Sequence, residues 1–202
     1  MDLLAVLVVA VYSASAPASA MVINRVVQEP VDFEGDFTAN MKKFQRQVLR
    51  YTNRLRRLHG VHTLKQDPVL DRYAQAWALT LAERDTMQHR TSPLYGENLY
   101  MFWSSDLKAP IKGSMVVKSW YDEIKQYDFN HPGFRPGIGH FTQLVWKDSR
   151  RLGTGIARGR KGTLYVVCVY DPRGNIMTQF AQQVPRPLPT PSSDRGHAQG
   201  RR

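Results

Sequence analysis

The chain of 202 residues is poor in cysteine, in acids and in long apolar runs. Its one cysteine, Cys168, has no partner for an intrachain disulfide. That excludes the small secreted scaffolds stapled by disulfides, and any zinc site built from several thiolates. Acids number 17 against 28 Lys and Arg, a formal net charge of +11. Such an excess favours acidic partners, whether nucleic acid, anionic lipid or sulfated glycan. No Asn-x-Ser/Thr acceptor is present, so a glycosylated surface is not expected. There is no His-Glu-x-x-His helix, no Gly-x-Ser-x-Gly elbow and no Walker loop. Gly153-Thr154-Gly155 lacks the third glycine of a dinucleotide loop. The positive charge is spread over helix, turn and tail, which argues against a specific reader of nucleic acid.

The ends read as an address and a tail. Leu3 to Val11 are nine consecutive apolar residues, short of the ~20 that a spanning helix needs. Ala18-Ser19-Ala20 follows as an A-x-A cleavage signal, although the first residues carry Asp2 and no Lys or Arg. Residues 1–20 are therefore expected to be a signal peptide, making the protein secreted and extracellular. The alternative is initiation at Met21, giving a cytosolic or Golgi-membrane-associated protein. Residues 21–39 form a lead-in and 40–184 the domain. Residues 185–202, opening with Pro185-Arg186-Pro187-Leu188-Pro189, read by composition as a disordered tail.

Within the domain, Phe44, Val48, Tyr51, Leu55 and Leu58 share one face of a helix over 41–59. The opposite face carries Lys42, Lys43, Arg46, Arg50, Arg54, Arg56 and Arg57. Such a helix is either a core element with a solvated basic face or one that lies on an anionic membrane. Asp67-Pro68 opens a second helix, with Asp as cap and Pro in the first turn, running to about Met87. Tyr95 to Trp103 is aromatic and apolar, part loop and part strand or helical turn. Residues 111–127 read as a third helix, and 140–146 as a short helix or extended turn. Residues 153–158 and 163–170 read as strands joined by Gly159-Arg160-Lys161-Gly162. Helices first, with strands between and after them, give an α+β class.

His89, Glu97, Glu123 and His140 lie on four separate elements. Two imidazoles and two carboxylates are able to share one divalent ion, nitrogen on the metal and carboxylate behind the ring. From spacing alone this signal is weak, and a lone His beside a helix end is more often structural.

Gly139-His140-Phe141-Thr142-Gln143-Leu144-Val145-Trp146-Lys147-Asp148-Ser149 resembles the first signature of the CAP superfamily. That superfamily holds cysteine-rich secretory proteins, antigen 5 and plant pathogenesis-related proteins of type 1. Tyr165 to Ile176 resembles the second signature, departing at Val169, where a polar residue is usual. Gly96-Glu97-Asn98-Leu99 and Trp120-Tyr121-Asp122-Glu123-Ile124 are similar to further family blocks. The likeness runs from about Phe44 to Val184. In its Pro132-Gly133-Phe134 loop and its lack of disulfides the chain resembles the Golgi-associated pathogenesis-related members.

The resemblance implies an α-β-α sandwich with a three-stranded antiparallel sheet between helix layers. It implies a central cleft in which His89 and His140 bind Zn2+ or another divalent cation, with Glu97 and Glu123 orienting them. It implies a binding protein that engages lipid, sterol or an anionic membrane surface, with Tyr127, Phe129 and Phe134 as a loop that either covers an apolar ligand or caps the core. The alternatives are a metal-dependent hydrolase or protease, and a defence or reproductive signalling module that binds a protein receptor. No serine has a motif-backed role as nucleophile. A monomer or weak homodimer is expected. Cys168, inside an apolar strand, is read as buried packing, with an intermolecular disulfide as the alternative.

Overall fold

The run Leu164–Tyr170 is apolar or aromatic throughout, and every residue of it is buried. Such a strand has no solvent face and must be covered on both sides. It is the centre of the sheet. The computed structural model describes residues 32–189, apart from 92 and 107. The expected leader, most of the lead-in and the end of the tail lie outside the described residues.

In chain order the elements are α1 (Ala39–Leu58), β1 (Lys65–Gln66), α2 (Pro68–Arg84), β2 (Gly96–Phe102), α3 (Gly113–Tyr121), a 3-10 helix (Asp122–Gln126), α4 (Gly139–Val145), β3 (Arg151–Arg158), β4 (Leu164–Asp171) and α5 (Phe180–Gln183). The sheet order is β1-β3-β4-β2. β4 pairs antiparallel with both β2 and β3. The sheet thus has the three antiparallel strands expected plus a fourth, the two-residue β1, parallel to β3. Both residues of β1 are exposed and polar, so no hydrophobic period marks it.

Alternate side chains of β4 enter two separate cores. Tyr165, Val167 and Val169 pack with Tyr73, Ala74, Trp77 and Leu81 of α2. Val166, Cys168 and Tyr170 pack with residues of α1, α3 and α4, among them Val48, Trp120 and Phe141. This is the α-β-α sandwich. Each valine so buried contributes roughly 1.5–3 kcal/mol. Glycines on β3 set how closely α2 lies. A Cβ on Gly153 would stand 2.1 Å from the Leu70 carbonyl carbon, and one on Gly155 2.4 Å from that of Ala74. The Gly-x-Gly pair is therefore a packing surface.

Beyond β1 the outer edge of β3 is satisfied by helix side chains. Asp71 Oδ1 accepts from Thr154 N at 2.8 Å and Gln75 Oε1 from Ile156 N at 2.9 Å, while Gln45 Nε2 donates to Thr154 O at 3.0 Å. These polar groups take the place of a strand on a buried edge. Burial pushes the Asp71 carboxyl above its ordinary pKa.

The helix starts follow the sequence closely. Thr38 caps α1 through Met41 N, and Asp67 caps α2 through Val69 N and Leu70 N. α2 stops at Arg84, short of Met87, because Asp85 turns left-handed with φ 48°. The third helix is shorter than expected, and its last turn tightens to 3-10 geometry from Asp122.

Two expectations need correction, and one alternative falls. Arg56 does not belong to the solvated basic face: it is fully buried. Its guanidinium donates to His62 O at 2.7 Å, Leu144 O at 2.8 Å, Trp146 O at 2.9 Å and Ser149 O at 3.1 Å. Burial lowers its pKa to about 10. A helical stripe shows which residues share a face, but not that a neighbouring loop folds over the stripe's edge. Residues 185–188, which composition assigns to the tail, are held to the domain. His59 Nδ1 donates to Pro185 O at 2.7 Å, Arg186 Nη2 donates to Asn130 Oδ1 at 2.6 Å, and Leu188 N donates to Leu58 O at 2.7 Å. Finally, Cys168 is wholly buried mid-strand, its Sγ 3.4 Å from Thr154 Oγ1 and its pKa pushed up to about 12. It has no path to a second chain, so the disulfide alternative falls.

Candidate functional site

The short α4 is held at both ends by charges of the right sign. A helix this brief leaves most of its terminal backbone groups without internal partners. At its N-terminus, Glu123 Oε2 accepts from His140 N at 2.9 Å and Phe141 N at 3.0 Å. At its C-terminal end, Arg56 takes the Leu144 and Trp146 carbonyls. Anion at the start and cation at the end both match the helix dipole.

His140 is therefore fixed where α4 begins. The other oxygen of Glu123, Oε1, lies 2.6 Å from His140 Nδ1. The ring stacks on Trp120, centroids 6.2 Å apart and planes 19° off parallel. Asn98 Nδ2 donates to His140 O at 3.0 Å. Asn175, left-handed at φ 57°, donates to Gly139 O at 2.9 Å and accepts from Thr142 Oγ1 at 2.6 Å.

β2 supplies a matching pair. Glu97 Oε1 lies 2.7 Å from His89 Nδ1 and accepts from Arg90 N at 3.2 Å. That hydrogen bond holds the His89 pKa above its ordinary value. The Glu97 side chain is 3% exposed while the His89 ring is 61% exposed. Glu97 Oε2 is buried with no hydrogen-bond partner among the described residues. Gly96 leaves room for Gln143: a Cβ there would fall 2.0 Å from Gln143 Oε1, which accepts from Gly174 N at 2.8 Å.

All four anticipated residues line one cavity of about 640 Å³, together with Phe134, Arg173 and Asn175. Each imidazole spends Nδ1 on a carboxylate and leaves Nε2 without a hydrogen bond among the described residues. Carboxylate behind, nitrogen in front, is how a metal-ligating histidine is oriented. The donor set has limits. Among the described residues no three His, Cys, Asp or Glu side chains form a group that encloses a metal ion. Two imidazoles fit an open site completed by water or ligand, and do not fit a closed structural one. The partnerless Glu97 oxygen fits a site that something further would complete.

The aromatic loop is divided. Tyr127 is buried in the core, 4.8 Å from Phe129 and 5.6 Å from Phe141 between centroids. Phe129 packs there too, beneath Arg186 at 5.2 Å. Phe134 alone of the three reaches the cleft, where it is 48% exposed. Ile176 and Met177, also exposed, continue its apolar rim. Sequence reasoning missed Arg173, Asn175 and Gln143 as cleft residues. The signature likeness covered all three, but nothing in their spacing said which face they take.

Residues 49–170 match the Cysteine-rich secretory protein family, CAP. The chain is 38% identical over 141 residues to Golgi-associated plant pathogenesis-related protein 1 of Homo sapiens, covering 68% of this chain and 88% of that protein. It is 38% identical over 125 residues to pathogenesis-related protein 1A1 of Solanum lycopersicum, covering 61% and 68%. Among solved structures, BmVAL-1 superposes with a TM-score of 0.57 at 28% identity, covering 71% of this chain and 82% of that one. Among the described residues no helix is long and apolar enough to cross a membrane. Fold, signature blocks and relatives agree, and the chain belongs to the CAP family.

Proposed function

We propose that the cleft is a ligand-binding site that takes a divalent cation, with Zn2+ as the reference ion, on Nε2 of His89 and of His140. The observation that carries this reading is the paired geometry: two imidazoles in one cavity, each held through Nδ1 by its own carboxylate at 2.7 and 2.6 Å. When bound, such an ion supplies Lewis acidity and open positions for an anionic ligand. The chain's own residues do the rest. Glu97 and Glu123 keep Nδ1 protonated and Nε2 available. Trp120 fixes the plane of His140.

The favoured ligand class is lipid or sterol. Phe134, Ile176 and Met177 offer an apolar wall beside the polar floor, and Arg173 offers a cation for a headgroup. Binding is favoured over hydrolysis, because two imidazoles fall short of the three protein ligands usual in catalytic zinc sites. Secretion is part of the same reading, supported by the apolar leader and the family's secretory description.

The test is calorimetric titration of Zn2+ into the wild type and into a His89→Ala/His140→Ala double variant. Saturable binding that the double variant loses, with its circular dichroism unchanged, is the expected result. No binding to the wild type, or equal binding to both, sinks the metal reading. The four residues would then be a hydrogen-bond network that supports α4 and β2.

A further inference from the structure

The positive charge that composition left unassigned is not evenly spread once the chain is folded. α1 contains seven Lys and Arg and no Asp or Glu. One of the seven, Arg56, is buried and serves the core. Of the remainder, Lys43, Arg46, Arg50, Arg54 and Arg57 recur at intervals of three and four residues and are all exposed. At 1.5 Å rise per residue they form a straight line about 21 Å long.

The line borders a groove. Arg50, Arg54 and Arg57 line a cavity of about 400 Å³ between α1 and the start of α3, with Gln47, Tyr51, Lys112 and Ser114 completing it. No acid lines it. The cations of this line and Lys112 carry no ion pair or side-chain hydrogen bond among the described residues. Elsewhere on the molecule several exposed cations are matched, Lys118 with Asp122, Arg151 with Asp67 and Asp171, and Lys161 with Asp85, whereas no cation of this line is. Five like charges held on one rigid helix repel one another, and a bound polyanion relieves that repulsion.

We infer that this groove is a binding site for a sulfated polysaccharide. The shape decides the partner class. A line of guanidinium forks beside a narrow groove suits a linear chain bearing repeated sulfate groups, each able to take a bidentate contact. A flat bilayer would touch the rim of the groove and leave its floor unused. An unstacked nucleic-acid strand would want aromatic platforms, and Tyr51 is the one aromatic lining residue. The site shares no lining residue with the His/Glu cleft, so it stands or falls independently of the metal reading.

The test compares two triple variants of the full chain with equal loss of charge. Arg50→Gln/Arg54→Gln/Arg57→Gln empties the groove of its forks. Lys65→Gln/Lys147→Gln/Arg160→Gln removes three exposed cations elsewhere. Binding of size-defined heparin oligosaccharides is measured across a salt series, beside single-stranded DNA and phosphatidylserine vesicles. The groove variant should bind the oligosaccharide at least ~10-fold more weakly at physiological salt, with the slope of log affinity against log salt lowered by about two to three. The control variant should change affinity less than ~3-fold. Equal weakening by both triples means diffuse attraction and overturns the site. Tighter binding of wild type to vesicles or DNA than to heparin overturns the partner class. Absence of heparin binding overturns both.

Discussion

Glu123 and Glu97 each hold a histidine Nδ1, at 2.6 and 2.7 Å, yet they rest on different supports. Glu123 also closes the N-terminus of α4 through two backbone N–H groups, so both of its oxygens are committed to the fold. Glu97 takes one backbone N–H and keeps a buried oxygen without a partner among the described residues. Their histidines differ likewise: His140 is stacked on Trp120 and 32% exposed, while His89 stands 61% exposed. One half of the cleft is built into a helix end, and the other leans on a strand. Residues with the same chemistry in one cavity therefore need not share the same burden. The His140 side is tied into the fold at a helix end, and the His89 side is held by fewer contacts.

The largest test strikes α4 from the end away from the cleft. Arg56→Met leaves four carbonyls without their cation and should cost about 3–4 kcal/mol in urea denaturation. A loss below about 1 kcal/mol would show that α4 does not depend on this clamp. Next comes the comparison itself. Glu123→Ala should cost about 2–3 kcal/mol through the lost cap and ring contact, while Glu97→Gln should cost less than about 1 kcal/mol. Equal losses would erase the distinction. A third test reads ligand binding instead of stability. Glu97→Gln should weaken Zn2+ binding by about 10–100-fold with the fold intact, as loss of an orienting carboxylate does. Unchanged affinity would leave Glu97 without a role in the proposed site.

The smallest effect is in pH. His59, absent from the sequence-level site, is buried between Pro185 O at 2.7 Å and Tyr121 Oη at 2.9 Å. Desolvation lowers its pKa in the folded state. A depressed folded pKa gives stability that is present above the unfolded value near 6.5 and lost as pH falls through the folded value. His89 has the opposite sign. Its raised folded pKa adds stability that is present below the unfolded value and lost as pH rises through the folded one. Because His89 is the more exposed, its contribution should be the smaller. His59→Gln should therefore flatten the loss of thermal stability between pH 7 and 5, and His89→Gln should steepen it slightly. Parallel shifts in both variants would contradict the assignment.

Much of the architecture was legible because local chemistry agreed with the final fold. Asp67-Pro68 can do little but start a helix, and its cap is present. The apolar run of β4 was legible as a strand, while the two layers that cover it came from the resemblance and are present. The four cleft residues came from the resemblance of the signature blocks, since spacing could not have joined positions 89, 97, 123 and 140. Other features were hidden because their cause is distant in sequence. Nothing near Arg56 distinguishes it from Arg57, and its burial is decided by residues 144–149 folding over it. Tyr127, Phe129 and Phe134 look alike as a loop, and only packing against Phe141 separates core from rim. Composition likewise released Pro185–Pro189 into a tail that His59 and Leu58 hold down.

The sequence by itself determined the helix starts, the central strand, the family and the excess of positive charge. These depend on residue type and on periods of two to four residues. The tertiary structure alone decided which arginine is core, which carboxylate is structural, and which cations of α1 border a groove. Arg56 is fixed by carbonyls 88 to 93 residues away and Glu123 by N–H groups 17 and 18 away, and local pattern encodes neither approach.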